Sequence, residues 1–315
     1  VFDKITIRAT LSDEECVNLA HLHRLHAWVN EAGTQVEYRS SEYAKLTGIE
    51  VKIIRNKVTI KTSLHKFYNS RVSGTLRNDN LFTISEAKLA AEMLLHENDL
   101  APERTRVVQF EIGLNLIVSR DPISFIERAR YICNRDKAMF IDANFRVNRQ
   151  KTTEKHRHIR KYFKIYDKGF EMQEKKRFAD SMKTRDHVLR CETVFRRHSE
   201  AASTFFTDRN VNRLAQRFLI DWDSLFFFRN IRADKGTRKS EIERARRCFD
   251  LGTEEYLEKS REELEKGIIT PKQFRTIREF ARDFEDNKHR FSQEVSAQET
   301  EYKRLLHKVF QQANK

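Results

Sequence analysis

The sequence predicts an α+β fold: an antiparallel sheet with helices on one face, followed by an α-helical C-terminal domain. Three observations predict it. Strand-type alternation recurs through the first 200 residues. Capped amphipathic helix patterns interrupt that alternation. From about residue 201 the spacing turns helical, with dense alternating charge and little strand signal. The expected domains are therefore 1–200 and 201–315, with no Gly/Ser-rich linker between them and no internal repeat.

The opening VFDKITIRAT reads as a strand and not as a signal peptide. Ser12-Asp13-Glu14-Glu15 reads as a capping box. The helix it starts is expected to carry Cys16, Leu19, Ala20, Leu22 and Val29 inward and to end near Gly33. Residues 49–64 alternate twice around Asn56-Lys57, which is a hairpin signal. A second amphipathic helix starts at Ser85. In the following strand, Phe110, Ile112, Leu114 and Leu116 fall on one face, and Gln109, Glu111, Gly113 and Asn115 on the other. Pro122 sits where a helix would begin, continued by ISFIERARYI. Two further strands are HIRKYFKIYDK and DHVLRCETVFRR.

Charge narrows the partners. With 61 Lys+Arg against 47 Asp+Glu, the formal net charge is +14, a field suited to a polyanion. The four cysteines, at 16, 133, 191 and 248, form no close pair, so neither a disulfide framework nor a zinc site is predicted and a reducing cytoplasm is expected. No apolar run approaches the roughly 18 residues of a membrane span.

Three strands share one design. Phe163 and Ile165 oppose Tyr162, Lys164, Tyr166 and Lys168; Leu189, Cys191, Thr193 and Phe195 oppose Arg190, Glu192, Val194 and Arg196. With the Glu111 strand, this gathers carboxylates, tyrosines and lysines on the face turned from the apolar layer. If the strands are neighbours, the carboxylates could hold Mg²⁺ or Mn²⁺. A tyrosine beside that ion could attack a phosphodiester. A phenol with a pKa of about 10 is scarcely ionised at neutral pH, so it needs nearby positive charge, which Lys168 is placed to give. The same pattern also suits plain cross-strand ion pairs.

The run 48–54, Gly-Ile-Glu-Val-Lys-Ile-Ile, followed by Val-Thr-Ile-Lys-Thr-Ser-Leu-His-Lys (58–66), resembles a region of the filamentous-phage gene II replication proteins. Phe110-Glu111-Ile112-Gly113-Leu114-Asn115 is similar to that family's strand bearing an acidic metal ligand. Ile165-Tyr166-Asp167-Lys168 resembles the Ile-Tyr-polar-Lys strand of staphylococcal-type plasmid initiators, and Arg190-Cys191-Glu192 the Arg-hydrophobic-Glu strand that follows in both groups. The resemblance covers roughly residues 48–198, and the order of its motifs is kept.

The resemblance implies a rolling-circle replication initiator. Such a protein cuts one DNA strand at an origin, often a hairpin with an exposed single strand, through a 5′-phosphotyrosine. Tyr166 would be the nucleophile, Glu111 and Glu192 metal ligands for Mg²⁺ or Mn²⁺, and Lys168 the stabiliser of phosphate charge. Asn115 stands where the plasmid initiators have a second acid; it and His65 are further candidate ligands, His65 equally read as a strand-end histidine. Lys164, Arg190 and Arg196 are candidate DNA contacts. Tyr162 is either a second nucleophile or a base-stacking residue. DNA is the expected partner, with a host helicase and a second copy as further partners.

Two histidine patterns are weighed beside these. His21-Leu22-His23 matches a metal signature but falls in a helix, where residues two apart point away from each other. His156-Arg157-His158 reads as a basic turn or as a contact to metal or phosphate. In the C-terminal region, Leu214, Phe218, Leu219, Trp222 and Phe226 form a helical core stripe, with Arg213, Arg217 and Arg229 between them. Thr270-Pro271 starts another helix. The helices flanking that start suit a hairpin, a winged or bundled DNA-binding unit, or a dimer contact. A non-catalytic DNA-binding or excision accessory protein, and a mobilisation or transposition nickase, are the alternative functions.

Overall fold

The computed structural model describes residues 1–29, 36–40, 47–150, 160–174 and 187–314. The chain divides into two units, Val1–Phe227 with Glu301–Lys315, and Phe228–Thr300.

In the first unit, twelve strands among the described residues form one antiparallel sheet. They are β1 (Phe2–Thr10), β2 (His26–Val29), β3 (Val36–Arg39), β4 (Ile49–Ile54), β5 (Lys57–Ser63), β6 (Arg106–Val118), β7 (Ala129–Ile132), β8 (Lys137–Asp142), β9 (Val147–Gln150), β10 (Lys161–Asp167), β11 (His187–Ala201) and β12 (Phe226–Phe227). Their order is β12-β7-β8-β9-β10-β11-β6-β1-β5-β4-β3-β2. The spine is β6 against β11, paired from Val118↔His187 to Arg106↔Ala201. Alternation gives each strand an apolar face. Phe110, Ile112, Leu114 and Leu116 of β6, Phe163 and Ile165 of β10, and Leu189 and Cys191 of β11 all join one buried cluster, as the sequence predicts.

Helices cover that face. They are α1 (Asp13–Leu22), α2 (Leu64–Ser73), α3 (Ile84–Glu97), the short α4 (Ile123–Ile126), α6 (Ala202–Phe205) and α7 (Asp208–Asp223), while α5 (Lys168–Glu174) sits by the polar face, with Phe170 and Glu171 beside Tyr166 and Glu192. The Ser12–Glu15 capping box forms, and a second, Thr83–Glu86, starts α3 one residue before Ser85. Trp222 of α7 lies edge-on to Phe163 and donates its indole N–H to Thr193 at 2.9 Å. The last helix, spanning Ala297–Ala313, sends Tyr302, Leu306 and Phe310 into the same cluster, and the Tyr302 hydroxyl bonds the Trp222 carbonyl at 3.0 Å.

Those contacts move the domain boundary. The expected break at 200/201 falls at 227/228, because Leu214, Phe218 and Trp222 bury against the sheet. Other expectations shift for local reasons. The first helix ends at Leu22, where Arg24 takes a positive φ of 49°, so Leu22 is exposed and Val29 lies exposed in β2. Gly33 lies outside the described residues. The β4–β5 turn is Arg55-Asn56, one residue earlier than the alternation suggested, with Arg55 at φ 52°. The helix after Pro122 stops at Ile126. Asn148 donates to the Ile126 and Ala129 carbonyls at 3.1 and 2.8 Å, and strand pairing then takes over from helical spacing.

The second unit has its own core of Ala245, Cys248, Tyr256, Ala281, Phe284 and Phe291. It comprises β13 (Asn230–Ala233), α8 (Lys239–Leu251), α9 (Thr253–Glu265), α10 (Pro271–Arg282), α11 (Phe284–Asn287) and β14 (Phe291–Glu294). The helix that follows is α12 (Ala297–Ala313). The β13–β14 ribbon corrects the purely helical expectation. No helix among the described residues is long and apolar enough to cross a membrane.

Candidate active site

The polar face of the sheet is a lattice of cross-strand pairs. Reading β10, β11 and β6 across, Tyr162 lies level with Val194 and Glu111, Lys164 with Glu192 and Gly113, and Tyr166 with Arg190 and Asn115. The next strand, β1, shifts register between Phe2 and Ile5. Such a bulge re-aims side chains, and here it delivers Asp3 and Lys4. Arg190 pairs with Asp3, and Lys4 Nζ lies 3.6 Å from Glu111 Oε2.

Glu192 is the hub. Its Oε1 accepts from the Tyr166 hydroxyl at 2.8 Å and from Arg190 Nε at 2.5 Å, and Lys164 Nζ lies 2.6 Å from Oε2. Burial alone would raise its pKa, but Arg190 and Lys164 outweigh that and hold the carboxyl well below the usual carboxylate range. Glu111 differs. Burial pushes it up, Lys164 opposes, and the neighbouring Glu192 charge adds to the rise. Lys164, between the two acids, is held firmly protonated: Glu192 and Glu111 overcome its own burial. Burial and Glu192 push the Tyr166 phenol well above its ordinary value. It therefore stands as a neutral donor.

Tyr166, Glu192, Lys164 and Lys4 line a cleft of about 410 Å³ together with Phe145 and Phe170. Lys168 does not. It opens α5, is buried, and donates to Glu171 at 2.6 Å. Arg190 and Lys164, not Lys168, are the cations beside the phenol.

Close packing on this lattice requires Gly113. A Cβ there would meet Arg190 Nη2 at 3.0 Å, Glu192 Cγ at 3.1 Å and the Cys191 carbonyl at 3.2 Å. A glycine in mid-strand signals such an approach. The bulge residues Asp3 and Lys4 left no comparable trace in the sequence.

Two expected ligands sit elsewhere. Asn115 accepts from Arg190 Nη1 at 2.8 Å and donates to the Asn78 and Asp79 carbonyls, each at 3.1 Å, so it ties a loop to β6. His65 lies in the first turn of α2 rather than at a strand end. It shares a hydrogen bond with Asn80 Oδ1 at 2.7 Å, stacks on Phe82, and is pushed down to about 3 by burial. It lines a second cavity of about 330 Å³, with Asp3 and Arg190. His23, of the His21-Leu22-His23 pattern, is buried against Asn98, while His21 is exposed. His156-Arg157-His158 lies outside the described residues. The Arg196 guanidinium sits 5.0 Å over the Tyr162 ring and reaches its hydroxyl at 3.4 Å.

Among the described residues, no three His, Cys, Asp or Glu side chains gather at one point. Glu111 and Glu192 share one sheet face and act on each other electrostatically, and Asp3 acts on both. Each glutamate has a buried Oε2 lacking an aligned hydrogen-bond donor, although lysine ammonium groups lie near both. Two carboxylates fit the way Mg²⁺ is held alongside substrate phosphate. His65 and Asn115 do not belong to that pair.

Neither a protein-family model nor a curated protein matches this chain. The functional reading therefore rests on the arrangement of Tyr166, Glu192, Glu111 and Lys164.

Proposed function

We propose that the protein is a rolling-circle DNA replication initiator, a site-specific single-strand nickase and strand-transferase with Tyr166 as nucleophile. The observation that carries this is the Tyr166–Glu192 hydrogen bond of 2.8 Å, with Glu111 on the same sheet face.

The phenol is protonated at rest, so its proton must leave as it attacks. Glu192 already accepts that proton's hydrogen bond. An incoming phosphate draws Lys164 toward itself, which weakens the cationic hold on Glu192 and raises its basicity while Arg190 stays bound. Tyr166 Oη then bonds to phosphorus, the bond to the 3′ oxygen breaks, and that oxygen takes a proton from water. The products are a 5′-phosphotyrosine and a 3′-OH; reversal rejoins the strand. Glu111 and Glu192 would hold Mg²⁺ or Mn²⁺, which when bound supplies Lewis-acid polarisation of the phosphoryl oxygen. Tyr162 with Arg196 offers a stacking pair along the strand's path. The same chemistry would serve mobilisation or transposition.

A second reading, a non-catalytic DNA-binding protein, is favoured by one observation: Arg190 and Lys164 already neutralise Glu192. The two readings part on a denaturing gel. Labelled single-stranded DNA with Mn²⁺ should give a slow, metal-dependent protein–DNA band that Tyr166→Phe lacks. Retention of DNA without that band overturns the nickase.

A further inference from the structure

We infer that α10 is a major-groove contact helix for double-stranded DNA, a role separate from the chemistry at Tyr166. The second unit positions it firmly. A short turn joins α9 to α10, in which Gly267 takes φ 67° and Ile268 N–H bonds the Glu263 carbonyl at 2.8 Å. A glycine-bearing turn of this kind serves αα-hairpins and helix-turn-helix units alike, and here it leaves the outer side of α10 open to solvent. The start of α10 is fixed by a complete Thr270–Gln273 capping box and Pro271. Its inner side is fixed by Ile277, Phe280 and Ala281, which pack with Phe284 and Phe291.

The outer side is cationic. Lys272, Arg275, Arg278 and Arg282 are exposed along it, with Glu279 the acid among them. Arg282 pairs with Asp283 at 2.8 Å, but Lys272, Arg275 and Arg278 have no acidic partner among the described residues. On the preceding helix and its C-cap, Lys259 pairs with Glu255 at 2.6 Å and Lys266 with Glu262 at 3.2 Å, and Arg261 is the exposed cation there without an acidic partner among the described residues. Like charges gathered within two turns repel, and a polyanion relieves that repulsion.

Shape selects which polyanion. A helix of 12 residues is about 18 Å long, and its diameter of about 10–12 Å matches a major groove about 12 Å wide. The half-exposed Phe274 borders this face, and the face carries no apolar stripe to enter a bilayer.

The test uses the full chain carrying Tyr166→Phe, which blocks cleavage, and a random-sequence 30-base-pair duplex titrated by anisotropy over a salt series. Lys272→Ala/Arg275→Ala/Arg278→Ala should lower the magnitude of the log–log salt slope by about 3 and weaken binding at least about tenfold. The pair Lys259→Ala/Lys266→Ala should change neither. All substituted side chains are exposed, so an unchanged thermal midpoint is expected, and Arg275→Glu alone should weaken binding in the same direction. Unchanged affinity and slope in the triple variant overturn the inference. Adduct formation on a short single strand is read separately, so loss of one activity leaves the other standing.

Discussion

The Tyr166 hydroxyl donates to Glu192 Oε1 at 2.8 Å across the β10–β11 pair, one step diagonal to its level neighbour Arg190. Removing that hydroxyl should separate chemistry from binding. Tyr166→Phe is expected to abolish the covalent adduct while single-strand affinity stays within about threefold, because stacking and phosphate contacts carry binding. Equal adduct yields in the two proteins would remove Tyr166 from the reaction.

Glu192→Gln should cost more than activity. It leaves Arg190 and Lys164 facing an amide in a buried setting, and breaking such a cluster costs about 3–5 kcal/mol. Urea unfolding should show a lower midpoint, with adduct formation lost.

Glu111→Gln is expected to behave oppositely. Burial raises the Glu111 carboxyl, so its charged form is unfavourable in the folded state. The neutral amide should leave stability unchanged or improve it by about 1 kcal/mol, while metal-dependent nicking falls at least about 100-fold. A destabilised Glu111→Gln with full activity would contradict this.

Gly113→Ala should lower stability by about 1–3 kcal/mol, since the added methyl meets the Cys191 carbonyl as well as Arg190. Thermal unfolding measures it directly. Addition of Mn²⁺ should not restore the loss.

Acid should act through His65. Its folded pKa is about 3, below the unfolded value of about 6.5, so between these pH values only the unfolded chain takes up the proton. Stability from this group is complete above about pH 6.5 and declines as pH falls, by about 2 kcal/mol at pH 5. Comparing urea midpoints at pH 7 and pH 5 for the native chain and His65→Gln checks it: the variant should show the smaller drop.

Much of this was legible from period-2 alternation alone. It placed Glu111, Tyr166 and Glu192 on one face, because successive strand residues point to opposite sides wherever a strand lies. What it missed depends on distant partners. The β1 bulge brings in Asp3 and Lys4 only through pairing with β6, more than a hundred residues away. Lys168 lost its strand position where α5 begins, and His65 was read at a strand end although Ser63 caps a helix there. The domain boundary moved because α7 and α12 find apolar partners on the sheet, which helical spacing cannot name in advance.

The second unit leaves the first after Phe227 and returns at Glu301, and the rings of Phe227 and Tyr302 touch at a centroid distance of 5.1 Å. It is thus an insertion rather than a tail. Stop codons between residues 228 and 302 would strip Tyr302 and Leu306 from the core of the first unit. Splicing out 228–300, by contrast, asks only for a few residues to bridge two neighbouring ends, and leaves every core contact of Tyr302 and Leu306 within the first unit in place.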